Sequence, residues 1–66
     1  MKRFTRIAFY EDSIRRAKRR LKKLERDLAR TKDNGARFRI QGRIEALRRS
    51  IADDQHCLNA AKRAKD

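Results

Sequence analysis

The sequence predicts an all-α fold: an antiparallel two-helix hairpin, packed as in a coiled coil and dimerising into a four-helix bundle. Three observations predict it. Two long apolar series repeat at alternating spacings of three and four, the period of a helical seam. One turn signal, Lys32-Asp33-Asn34-Gly35, separates them. The 66 residues contain no proline and are 45% charged, a mixture that suits long solvated helices rather than strands or a membrane segment.

The first helix is expected over about residues 5–32, with Ile7, Tyr10, Ile14, Ala17, Leu21, Leu24 and Leu28 as its seam. Starting it near Thr5 keeps Ile7 and Tyr10 in phase. The alternative is a cap at Asp12 or Ser13, which leaves Phe4, Ile7 and Phe9 in an extended arm. The turn is placed at 32–36, because Asn and Gly tolerate the left-handed conformation that closes a helix. The second helix is expected over about 37–64, with Ile40, Ile44, Leu47, Ile51, Asp54, Leu58 and Ala61 as its seam.

So short a connection makes the helices antiparallel neighbours. Folding about the turn brings Leu28 near Ile40, Leu24 near Ile44, Leu21 near Leu47, Ala17 near Ile51, Ile14 near Asp54 and Tyr10 near Leu58. Asp54 is the misfit, since a carboxylate at a seam needs a donor or water. Tyr10 and Lys18 are the expected donors.

A chain below ~70–80 residues rarely draws more than about 3–5 kcal/mol from one core, and Cys57 is the only cysteine, so no internal disulfide can staple it. Self-association is the remaining remedy. Beside the seam of the second helix runs a series of mostly small residues, Ala46, Ser50, Asp53, Cys57, Ala60 and Ala64, which lets another helix approach closely. Phe9 and Phe38 lie outside both seams, near opposite ends of the hairpin. The expected homodimer interface is therefore Phe9, Phe38, Ala46, Ser50, Cys57, Ala60 and Ala64. The plain alternative is that alanine, a strong helix former, simply fills solvent positions.

The net charge of +12 is concentrated: residues 15–32 hold ten basic side chains against two acidic ones. Arg15, Arg16, Arg19, Arg20, Lys22, Lys23, Arg26 and Arg30 form the candidate binding set, a ridge of roughly 20 Å at 1.5 Å per residue. Like charges four apart on a helix repel by a few tenths of a kcal/mol, as Arg15 and Arg19, Arg16 and Arg20, Lys18 and Lys22, Arg19 and Lys23, and Arg26 and Arg30 must. A polyanion relieves that repulsion. The expected partner is nucleic acid, RNA or DNA, contacted at its phosphates with little sequence reading. The alternative is a phage- or plasmid-type small adaptor or inhibitor that docks on an acidic host-protein surface, with Phe4, Phe9, Tyr10 and Phe38 as aromatic anchors.

Other motifs are weaker. The basic stretch before Leu21, Leu24 and Leu28 is not a zipper's basic region, because the seam already runs through it at Ile14 and Ala17. Two long antiparallel helices leave no residues for a helix-turn-helix, and Arg15–Lys23 matches a localisation or calmodulin-target pattern only as any basic helix does. Asp53, His56 and Cys57 lack a second cluster that would complete a metal site, and His56, the only histidine, projects away from its neighbour Cys57 around the helix. No catalytic residue, metal or cofactor is expected. The basic N-terminus is interrupted by Arg6, Glu11 and Asp12 before an export signal's apolar stretch can form. With one unpaired thiol and no apolar run long enough for a membrane span, the expected location is cytoplasmic.

Overall fold

Thr5 opens the first helix. Its hydroxyl accepts the Ala8 amide at 3.1 Å, satisfying one of the donors that a helix start leaves without a partner. The computed structural model describes residues 5–64 and builds them into two helices, α1 (Arg6–Arg30) and α2 (Asn34–Arg63). Ile7 and Phe9 are therefore helical rather than part of an arm, and Asp12 and Ser13 are interior to α1; Phe4 lies outside the described residues. No helix among the described residues is long and apolar enough to cross a membrane.

The link between the helices differs from the expected left-handed closure. Asn34 and Gly35 do not cap α1; they form the first turn of α2. The reason is Asp33, whose carboxylate accepts the Ala36 amide at 2.9 Å and starts α2 at once. The end of α1 is satisfied by other means. Thr31 is extended, its amide donates to the carbonyls of Asp27 and Leu28, and its hydroxyl donates to the Asp27 carbonyl. Arg37 reaches back from α2 and donates to the carbonyls of Leu28 and Thr31 at 2.8 and 2.9 Å. One guanidinium thus performs the work assigned to a left-handed residue.

The helices pack antiparallel along the two seams. Every seam residue, from Ile7 to Leu28 and from Ile40 to Ala61, is buried or half-buried. Asp54 is half-buried and finds a donor, but the donor is Ser13, whose hydroxyl reaches its carboxylate at 3.0 Å; neither Tyr10 nor Lys18 serves. Ser13 precedes Ile14, the residue expected opposite Asp54, so it reaches the carboxylate from the side of the seam. Arg48 and Glu25 join the helices again nearer the turn, at 3.0 Å.

The hairpin measures 47 × 24 × 12 Å. A thickness of one helix diameter leaves the seam open along both broad faces, so among the described residues only Ile14, Ile44, Leu58 and Ala61 are nearly enclosed, at 5–6% exposure. The accessible surface is 5909 Å², against about 4,400 Å² for a compact protein of this mass. Gly42 is an exposed interior residue of α2 with nothing within 4 Å of where a Cβ would stand. Gly42→Ala is expected to stabilise the hairpin by about 0.5–1 kcal/mol, read as a rise in the thermal midpoint; a fall would mean that an added Cβ meets something at that position.

Candidate nucleic-acid interface

Packing assigns the side chains of the hairpin to distinct faces by a simple rule. Residues immediately preceding a seam residue on either helix come to one broad face, and residues immediately following one come to the other. Grooves along the first face are lined by Phe9, Ser13, Arg16, Arg20, Lys23 and Asp27 from α1 with Arg43, Ala46, Ser50, Cys57 and Ala60 from α2. The groove on the second face is lined by Glu25, Gln41, Glu45 and Arg48 around Leu28 and Ile44.

All eight candidate cations, Arg15, Arg16, Arg19, Arg20, Lys22, Lys23, Arg26 and Arg30, are exposed. They do not form a uniform ridge. Arg16 pairs with Asp12 at 3.0 Å and Arg15 lies 3.9 Å from the same carboxylate, so the N-terminal end is partly neutralised. Such exposed pairs contribute about 0–1 kcal/mol and yield readily to a stronger anion. From Lys18 onward, Arg19, Arg20, Lys22, Lys23, Arg26 and Arg30 make no ion pair among the described residues. That run rises roughly 18 Å along the helix.

On α2, Arg48 is engaged by Glu25 and Arg37 by the turn. Arg43, which like Arg39, Arg49, Lys62 and Arg63 makes no ion pair among the described residues, is set apart by its place. It stands in the same groove as Arg20 and Lys23, over Leu24, Ala46 and Leu47, and was not singled out in the sequence because helix 2 is nearly neutral overall. The signal was its position: Arg43 precedes Ile44 just as Arg20 precedes Leu21.

The residues expected at a dimer interface separate along the molecule. Phe9, Phe38, Ala46, Ser50, Cys57, Ala60 and Ala64 are all exposed. Cys57, Ala60 and Ala64 line a groove with Arg6 and Tyr10 at the end far from the turn. Phe9, on the same broad face, is 58% exposed and packs edge-on to Tyr10, with ring centroids 5.5 Å apart. Ala46 and Ser50 lie farther toward the turn, beside Arg20 and Arg43. Phe38, 77% exposed, precedes no seam residue and lines none of these grooves.

Cys57 sits against Tyr10. Hydrogen bonding to Cys57 and negative charge on it raise the phenol above its ordinary value of 10.0, with desolvation and the Asp54 carboxylate adding and Arg6 opposing. His56 is exposed, and among the described residues no three or more His, Cys, Asp and Glu side chains converge as metal ligands. No known family, curated protein or solved structure matches the chain.

Proposed function

We propose that the hairpin binds nucleic acid, RNA or DNA, by its phosphates and with little sequence specificity. The observation that carries this reading is the run of exposed cations from Lys18 to Arg30 on α1 that make no ion pair among the described residues. Duplex nucleic acid carries a charge about every 1.7 Å of its axis, so a run of that length meets several phosphates. Titration of purified protein with RNA and DNA across a salt series tests it. For about four phosphates the affinity falls by about two orders of magnitude between roughly 50 and 200 mM salt, and a flat response removes the phosphate model.

The acting form in this reading is a homodimer. The surface is about 1,500 Å² larger than that of a compact protein of this mass, more than the roughly 800 Å² that each partner contributes to a standard interface. The exposed small residues at the end far from the turn, together with Phe9, are the surface available for it. There a second copy meets Cys57, Ala60 and Ala64 rather than the cations beside Ala46 and Ser50. Ala60→Gln is expected to overfill such an interface, at about 1–3 kcal/mol, and to shift sedimentation toward monomer. If the wild type already sediments as a stable monomer, the dimer is excluded.

Exposed Phe9 and Phe38 favour a second reading, an adaptor or inhibitor docked on an acidic host-protein surface, because aromatic and arginine side chains dominate protein interfaces. A stoichiometric protein partner retained after nuclease treatment would rank it first.

A further inference from the structure

Of four grooves lined by described residues, one differs from the other three in charge and in floor. The groove around Phe9, Asp12, Ser13, Arg16 and Asp54 balances its cations with two carboxylates, and the groove on the opposite broad face holds Glu25 and Glu45 against Arg48. The groove far from the turn has Arg6 alone among cations, with Tyr10 and alanines. The remaining groove has about 580 Å³ of space and brings Arg20 and Lys23 of α1 together with Arg43 of α2 against the single carboxylate of Asp27. Its floor is Leu24, Ala46 and Leu47. The volume falls within the ~300–1,000 Å³ of clefts that take small ligands.

An apolar floor between cations from two helices suits an amphiphilic anion. Duplex nucleic acid offers such a surface little, because its base faces are stacked against one another and only phosphates and groove edges are presented. A single strand can turn a base face outward while its phosphate stays beside it. Asp27, which also lines the groove, repels a second phosphate and, being an acceptor only, is matched by the amino and imino donors of a base edge.

We infer that the Arg20, Lys23 and Arg43 groove seats an unpaired nucleotide of single-stranded nucleic acid, its base against Leu24, Ala46 and Leu47 and its phosphate among the three cations. This rests on the nucleic-acid reading above and adds to it the substrate form and a role for α2. Phosphate attraction along α1 supplies most of the affinity for any strand; the groove supplies the preference for an unpaired one.

The test uses the full chain and a fluorescent, non-self-complementary 12-nucleotide probe, as DNA and as RNA, each alone and annealed to its complement. The single strand is expected to bind about fivefold more tightly than the duplex, at the low end of what base stacking on aromatic side chains contributes, because the side chains under the base are aliphatic. Arg43→Gln and, separately, Ala46→Glu are expected to erase that preference. Arg49→Gln, which removes the same charge outside the groove, leaves it intact. Both groove positions are exposed on a helix, and circular dichroism checks that each variant keeps its helicity. Equal affinity for strand and duplex, or equal loss of both probes in the groove variants and Arg49→Gln, overturns the groove while leaving phosphate binding by α1 in place. Failure to bind either probe overturns both readings.

Discussion

Reversing Arg19, Lys22 and Arg26 to glutamate is expected to abolish nucleic-acid binding while making the hairpin more stable. The three side chains are exposed and make no ion pair among the described residues, so no internal contact is lost. Their reversal lowers the net charge of +12 by six units and turns the middle of the cation run negative. Affinity at low salt should fall by about two orders of magnitude or more, with the salt slope reduced by nearly one per lost phosphate contact. Within α1 the repulsions of position 19 with Arg15 and Lys23, of position 22 with Lys18, and of position 26 with Arg30 become attractions. Each is worth about 0.2–0.5 kcal/mol, so the thermal midpoint should rise. Binding and stability moving in opposite directions separates a lost contact from a lost fold. An unchanged salt slope would place the phosphate contacts elsewhere on the molecule.

Ile44→Ala is expected to unfold most of the protein at 25 °C. Ile44 is 6% exposed and is one of only four nearly enclosed residues among those described. Truncating a buried isoleucine to alanine costs about 2–5 kcal/mol, and a core this small supplies about 3–5 kcal/mol in all. The loss is visible as collapse of the far-ultraviolet helical signal. Phe38→Ala removes a larger side chain from a position that is 77% exposed and should leave the signal unchanged. If Ile44→Ala melts no earlier than wild type, stability does not rest on this seam.

The seam was legible residue by residue. Alternating spacings of three and four named every position that the structure buries or half-buries along it, because that spacing keeps one stripe of a helix facing one direction wherever the partner stands. The turn was legible as a place but not as a mechanism. Asn34 and Gly35 suit a left-handed closure, yet an aspartate immediately before them can begin the next helix instead. Which outcome wins depends on Arg37, which satisfies the α1 carbonyls from outside that helix. Asp54 was recognised as needing a donor, and the donor was misassigned. Ser13, a short side chain, reaches it only because the helices pass closely beside the seam.

By itself, the sequence determined which stripe of each helix turns inward, that the two helices return antiparallel, and that the strongest positive charge lies on the first. All three follow from local spacing, one short link and the order of charged residues, and none requires knowing which side chains meet. Which flanking residues share a face depends instead on how the two helices pack. In an antiparallel pair both helices present the same sense of rotation to the interface, so the residue before each seam position on one helix joins its counterpart on the other. That geometry sets Arg43 beside Arg20 and Lys23 and carries Ser13 to Asp54, while Glu25, Glu45 and Arg48 share the opposite face. The hydrogen bonds between the helices' side chains span 23 to 41 residues of chain, and no periodicity within a single helix records such pairings.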